Sequence, residues 1–221
     1  MIETYGSISS SPGKMGFTIH NSGFQHYNLE KIYIPFKVPA DALGDAVAGI
    51  RALGVKGIGV SSPHKRSVIP YLQNMDEITS RSRSCNTILN IDDNLLGFNT
   101  DYYAIKSLIS EIDILMMQKN IVLCGNGGYA STAKIVFHDM GINIHKEITR
   151  NNWEDLNDID HGLFIFNATP VILDRTMVIN ASAETASGKE LALRQAAAQF
   201  KMYTDGLDLP IKEIRAILNI A

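Results

Sequence analysis

Neither charge sign is in large excess in this chain. Twenty Lys and Arg face twenty-three Asp and Glu, a net charge of −3. The basic residues are scattered, which argues against a nucleic-acid surface. Cysteine is scarce. Cys85 and Cys124 are too few for a disulfide framework and fit no zinc spacing. A reduced, cytoplasmic setting is therefore expected. No apolar run reaches the roughly 18 residues of a membrane span, so none is predicted. Met1 to Ser7 lacks a basic stretch leading into an apolar one, so no signal peptide is expected. Internal repeats and low-complexity tracts are absent. His20, His26 and His64 follow no metal-ligand logic and read as core or surface histidines, so no metal is expected. What is present is globular. The 221 residues are 45% hydrophobic and 19% charged, enough for one large domain or two small ones. A small anionic partner stays compatible with this balance, since a pocket can be positive on a near-neutral chain.

Short β-type runs alternate with longer helical stretches, which predicts an α/β fold with parallel strands. Leu29 to Val38 reads as a strand. Asp41 to Leu53 has helical period, with Asp41 as N-cap and Gly54 as stop. Val55 to Val60 is a second strand, broken by Ser61-Ser62-Pro63, and Ser67 to Met75 reads as helical. Thr87 to Ile91 and Leu95 to Asn99 flank a turn at Asp92-Asp93-Asn94. Ile105 to Lys119 reads as a helix linking two halves, with the domain boundary within or just after it. In the second half, Ile121 to Cys124 is a buried strand and Tyr129 to Met140 a helix stopped by Gly141. Strands follow at Ile142 to Ile148 and Gly162 to Phe166. Lys189 to Tyr203 is an amphipathic helix, and Pro210 to Ile220 is the last. These C-terminal helices are expected to pack back on the first half. The expected division is 1–105 with about 189–221, and 106–188.

The strand–glycine loop–helix around Gly125-Asn126-Gly127-Gly128-Tyr129-Ala130 is the strongest local motif. Glycines let backbone approach a pyrophosphate, and the helix start offers free N–H groups and the positive dipole end. The spacing is not the usual G-x-G-x-x-G, and a tight βα turn without ligand would use the same residues. An NAD site usually carries Asp or Glu about 20 residues on. Here the next strand ends at Thr149-Arg150-Asn151. Arg150 suits a 2′-phosphate and favours NADP over NAD, although a solvated surface arginine fits equally. Lys65 lies just past a strand end, where a lysine can exchange a proton with a substrate oxygen. On composition alone it is a solvent-facing lysine, and Asp101 alone is a helix N-cap.

Taken in order, these segments resemble the shikimate dehydrogenase family over nearly the whole chain. Lys65 closes a segment similar to the family's N-V-T-x-P-x-K. Asn86-Thr87 resembles its N-T, and Asn99-Thr100-Asp101 its N-T-D. Gly125 to Ala130 resembles its Gly-Ala-Gly-Gly-Ala loop. Thr149-Arg150-Asn151 stands where the family has N-R-T, and Asn167-Ala168-Thr169 where it has N-A-T-S. Gln195 matches its late glutamine. The resemblance implies an N-terminal α/β substrate domain, then a Rossmann-like NADP domain, with the active site in the cleft between. It implies reversible reduction of 3-dehydroshikimate to shikimate, in aromatic amino acid biosynthesis. Lys65 and Asp101 would be the catalytic pair. Ser7 and Ser9 would bind the substrate carboxylate, and Ser61, Asn86 and Gln195 its other polar groups. Gly125, Asn126, Gly127, Gly128, Tyr129, Ala130, Arg150, Asn151, Asn167, Ala168 and Thr169 would bind NADP.

Several positions depart from the pattern. The early serines lack the preceding histidine and the immediate Ser-Pro. The family's asparagine is Gly59 here, its threonine is Ser61, and Tyr102 follows the aspartate in place of glycine. These changes resemble the shikimate dehydrogenase-like branch, whose activity on shikimate is weak. The second half is also short. Fifteen residues separate Asn151 from Asn167, and seventeen separate Pro170 from Gly188. The first gap predicts a reduced crossover, with one helical turn near Asn151 to Leu156. The second predicts loss of a strand and a tyrosine-containing loop. The expected protein is an NADP-dependent oxidoreductase for a shikimate-like ring acid, monomeric or homodimeric, without nucleic-acid or membrane partners. The competing expectation is a non-catalytic ligand-binding or regulatory homologue that keeps the substrate cleft.

Overall fold

A computed structural model describes residues 2–112 and 120–220. The chain divides into two compact units, Met1–Thr100 with Gln195–Ala221, and Asp101–Arg194. In chain order the first holds β1 (Glu3–Ser9), α1 (Met15–His26), β2 (Lys31–Lys37), α2 (Leu43–Ala52), β3 (Gly57–Val60), α3 (His64–Ser67), β4 (Asn74–Met75), α4 (Glu77–Ser82), β5 (Thr87–Ile91) and β6 (Asn94–Phe98). The second holds α5 (Asp101–Ser110), β7 (Asn120–Cys124), α6 (Gly128–Asp139), β8 (Asn143–Ile148), β9 (Phe164–Asn167) and β10 (Val178–Asn180). Helix α7 (Ala186–Tyr203) begins in the second unit and ends in the first, where α8 (Ile211–Leu218) follows.

The first sheet runs β2-β1-β3-β5-β6-β4. β1 pairs in parallel with β2 and β3, whereas β5 is antiparallel to both β3 and β6. The sheet is thus mixed where the sequence predicted parallel strands. The tight connection at Asp92-Asp93 explains this, because both residues sit at positive φ, the geometry of a two-residue hairpin turn. One face buries Ile8, Ile58, Val60 and Ile88 with Val47 and Ile50 of α2. The other places Tyr5 against Phe24 and Tyr203, so α1 and the end of α7 cover it. Residues 195–221 cluster with the first unit, against the expected 189–221, and that unit ends at Thr100 where 105 was expected.

The second unit is a four-stranded parallel sheet, β10-β9-β7-β8. From β7 the chain steps to β8 on one side and then crosses to β9 on the other. The carboxyl end of β7 beside β9 is therefore a topological switch point, where α/β sheets place ligands.

Several local expectations need correction. Ser67 to Met75 is not one helix. α3 ends at Ser67, a 3₁₀ turn spans Ile69–Tyr71, and Asn74–Met75 is a strand. Pro70 removes the N–H that a continuing helix needs. Asp41 lies inside a 3₁₀ turn (Ala40–Ala42), and the N-cap of α2 is Ala42. Gly54, at φ +63, does stop that helix. The segment between Pro170 and Gly188 keeps a three-residue strand, β10. The crossover before β9 is reduced as expected, to 3₁₀ turns over Arg150–Asp158. Helix α5 accounts for residues 105–110 of the linking helix, and 113–119 lie outside the described residues. Among the described residues, no helix is long and apolar enough to cross a membrane.

Candidate functional site

In the first unit, β1, β2, β3 and β6 end at the same edge of the sheet, where β5 begins. Ser61 N–H donates to the Ile8 carbonyl at 3.0 Å, Val60 N–H to Asn86 at 2.7 Å, and Asn86 N–H to Phe98 at 3.1 Å. This ladder lines up Ser9, Ser61, Asn86 and Asn99. The turn after Ser61 carries half-buried Lys65 on α3, and the Lys65 carbonyl accepts the Cys85 N–H at 2.8 Å. Ser7, Ser9, Ser61, Lys65 and Asn86 are thus gathered at one carboxyl edge.

Asn86 is the hub of this edge. Its Oδ1 accepts from the Thr100 N–H at 2.7 Å and the Thr87 hydroxyl at 2.9 Å. Its Nδ2 donates to Thr100 Oγ1 at 2.9 Å and to Gln195 Oε1 at 3.3 Å. Gln195 is thereby joined to the edge from α7. The Ser9 hydroxyl donates to the Ser62 carbonyl and accepts from the Ser11 N–H, both at 3.1 Å, so it shapes the loop. Ser7 lies beside the Tyr33 phenol, for a Cβ on Gly59 would meet Tyr33 Oη at 2.9 Å and the Ser7 Cβ at 3.6 Å.

Sequence reasoning missed the residues behind this edge. Gln199, one helical turn beyond Gln195, donates to the Asn86 carbonyl at 3.2 Å and to Thr87 Oγ1 at 2.9 Å. Its Oε1 lies 3.3 Å from His20 Nε2, and His20 stacks on Tyr33 with ring centroids 4.4 Å apart. Burial holds His20 neutral, its pKa lowered to about 4, and pushes the Tyr33 phenol up to about 12. The QxxxQ spacing on an amphipathic helix was the available signal for Gln199. His20 gave none, because its partners are distant in sequence. As expected, His20 and His64 are core residues, and the His64 ring meets the Val38 carbonyl at 2.8 Å.

The second unit gathers its loops in the same way but by backbone. Gly125 N–H donates to the Ile148 carbonyl at 2.7 Å, and Ala168 N–H to Cys124 at 2.8 Å. These bonds bring the glycine loop, the Thr149-Arg150-Asn151 segment and the Asn167-Ala168-Thr169 segment to one carboxyl edge, at the switch point. Gly125 sits at φ +113, with an added Cβ 3.3 Å from the Ala168 carbonyl. Gly127, the exposed N-cap of α6, has ordinary φ and open space around its missing Cβ, and no side chain caps the helix start. Open backbone at an uncapped twelve-residue helix fits a pyrophosphate. Asn126 is exposed, Gly128 and Tyr129 are half-buried, and Ala130 is buried. Tyr129 stacks on Phe166 at 6.2 Å. Burial, and then the neighbouring Asp101 carboxylate, push its phenol well above the ordinary value.

Thr149 and Asn152 form a capping box that leaves Arg150 and Asn151 exposed at the start of the 3₁₀ turns. Asn167 is fully buried and structural. Its Nδ2 donates to the Val171 carbonyl and to Asn180 Oδ1, and its Oδ1 accepts from both Thr169 groups. Asp101 opens α5 directly after Thr100 and is almost fully buried. Both cysteines are buried, which raises Cys85 to about 12 and Cys124 to about 11, so neither is a ready nucleophile. Among the described residues, no cluster of His, Cys, Asp or Glu could hold a metal.

Comparison with known proteins agrees with the motif reading. Residues 8–88 match the shikimate dehydrogenase substrate binding domain. Shikimate dehydrogenase (NADP(+)) of Geobacillus sp. strain WCH70 is 39% identical over 124 residues, covering 56% of this chain and 45% of the relative. That of Bacillus cereus strain AH187 is 33% identical over 144 residues, 64% of this chain and 52% of the relative. The chain therefore matches about half the length of these relatives. Shikimate dehydrogenase 1 from Peptoclostridium difficile shares the fold, with a TM-score of 0.79 at 24% identity over 98% of this chain and 97% of that one. The chain is similar to shikimate dehydrogenases in sequence over much of its length and in fold throughout.

Proposed function

We propose that this protein is an NADP-dependent oxidoreductase interconverting shikimate and 3-dehydroshikimate, or a closely related ring hydroxy acid. The observation that carries the reading is the convergence of Ser7, Ser61, Lys65 and the Asn86–Gln195 pair at one sheet edge, with Ser61, Lys65 and Asn86 inside the part of the chain that resembles a substrate-binding domain. A polyhydroxylated acid needs such a set, because each buried hydroxyl left unpaired costs about 1–3 kcal/mol. Ser7 is the carboxylate donor, and Ser9 holds the loop. Lys65 binds the reacting oxygen and exchanges its proton, with Asp101 as the second member of the catalytic pair. In the second unit, Gly125 to Ala130 approach the pyrophosphate and Arg150 with Asn151 holds the 2′-phosphate. Asn167, Ala168 and Thr169 shape the neighbouring wall. NADPH, when bound, supplies the hydride.

The second reading is a ligand-binding homologue without turnover. The reduced crossover at Arg150–Asp158 favours it. Calorimetry separates the two. Saturable NADP binding together with shikimate-dependent NADP reduction supports the oxidoreductase. Shikimate binding without NADP binding assigns the non-catalytic role, and binding of neither ligand refutes both.

A further inference from the structure

The side-chain network of the first unit has a definite proton order, and it can be read from Gln199. This residue is 3% exposed. Its amide meets the Asn86 carbonyl at 3.2 Å and Thr87 Oγ1 at 2.9 Å on one side, and His20 Nε2 at 3.3 Å on the other. A backbone carbonyl only accepts, so the Gln199 atom facing it is the amide nitrogen. Oε1 therefore accepts from His20. The order runs on from there. Gln199 donates to the Thr87 hydroxyl, which spends its single proton on Asn86 Oδ1 at 2.9 Å. The Thr100 N–H donates to the same oxygen at 2.7 Å. Asn86 thus turns its nitrogen toward Gln195, and Gln195 meets it with Oε1. That contact, at 3.3 Å, is long for such a bond. Thr87, Asn86 and Gln199 are buried, whereas Gln195, one turn earlier on α7, is half-buried. The network therefore opens outward at the Asn86–Gln195 pair.

A group that enters between one donor and one acceptor must accept and donate at once. A hydroxyl does both, whereas a carbonyl or ether oxygen only accepts. We propose that the Asn86–Gln195 pair receives a ligand hydroxyl, and that Gln199 is the positioning residue that fixes the polarity of the pair through Thr87. The proposal rests on the reading of this edge as a shikimate-type site.

The test is calorimetric binding of shikimate and of two analogues, 4-deoxyshikimate and 5-deoxyshikimate, each lacking one non-reacting hydroxyl. The full chain is used, with melting temperature as a fold control. In wild type, one analogue should bind about fivefold or more weakly than shikimate. Gln199→Met keeps length and helix propensity but donates nothing. It should weaken shikimate about fivefold and leave that one analogue within about twofold. A general loosening of the unit would instead weaken all three ligands alike. Thr87→Val should match Gln199→Met, and Thr87→Ser, which keeps the hydroxyl, should bind like wild type. The double variant Q199M/T87V should lose no more than either single variant, because both act along one path. Equal losses for all three ligands, or additive losses in the double variant, overturn the proposal and leave the site reading intact. So does wild type binding both analogues as tightly as shikimate, a result that needs no variant to fold. Failure of wild type to bind shikimate overturns both.

Discussion

The two units hold their polar edges by different means. In the first, a network of side chains is added to the backbone ladder. Asn86, Thr87, Thr100, Gln195 and Gln199 bond to one another, with His20 and Tyr33 packed behind. In the second, backbone predominates. The Gly125 and Ala168 amides tie the strand ends together, and the helix start at Gly127 is open. Each construction suits the ligand class proposed for it. A small hydroxy acid is told from its analogues by individual donors and acceptors, which backbone alone cannot vary. A pyrophosphate needs dense N–H groups and close approach, which side chains would obstruct. The contrast teaches that substitution should damage the first edge through chemistry and the second through geometry.

The sharpest way to break this contrast is Lys65→Ala. Removing a proton-exchanging group should lower kcat/KM for shikimate by about 10²–10⁴, with NADP affinity unchanged by calorimetry. Undiminished turnover would remove the lysine from the mechanism. Next in size is a pH effect confined to the first unit. His20 titrates near 6.5 when unfolded and at about 4 when folded. The unfolded chain binds the extra proton in that window, so the contribution is full above about pH 6.5. It falls away as pH drops toward 4, by up to about 3 kcal/mol. Urea unfolding of wild type against His20→Gln should show this slope in wild type alone, and parallel slopes would refute it.

In the second unit, the two loop glycines should part company. Gly125→Ala is strained at φ +113 and should cost about 1–3 kcal/mol of stability. Gly127→Ala has open space and ordinary φ. It should leave the melting temperature nearly unchanged while weakening NADP, and a pair of equal melting-temperature losses would contradict the assignment. The smallest expected effect is that of Arg150→Ala. It should weaken NADP by about tenfold and NAD by little, and equal losses for both cofactors would remove the arginine from the 2′-phosphate.

Elements built from packing alone were legible in the sequence. β3, β7, α6 and the body of α7 carry continuous or helical apolar patterns, and the Asp92-Asp93 turn announces its hairpin. β1 and α1 were not identified. In β1 the face toward α1 reads Tyr5, Ser7, Ser9, and such small polar residues do not look like a strand core. In α1, Gly16 and Gly23 lower helix propensity for reasons that lie far along the chain. A Cβ on Gly23 would sit 2.5 Å from the Phe200 ring. The motif-bearing candidate residues stand out in the sequence because their order is distinctive. His20, Tyr33 and Gln199 do not, since their bond and stack join α1, β2 and α7 across as many as 179 positions.

Helix α7 has a consequence for synthesis. Tyr5 and Phe24 emerge early from the ribosome, but their partners Tyr203 and Phe200 lie beyond the whole of Asp101–Arg194. At roughly 5–20 residues per second, the first sheet waits on the order of 5–20 s with one aromatic face covered by α1 alone. The second unit can close during that wait. The part of the chain made first is thus the last to be finished, and chaperone demand should fall on its incompletely covered face.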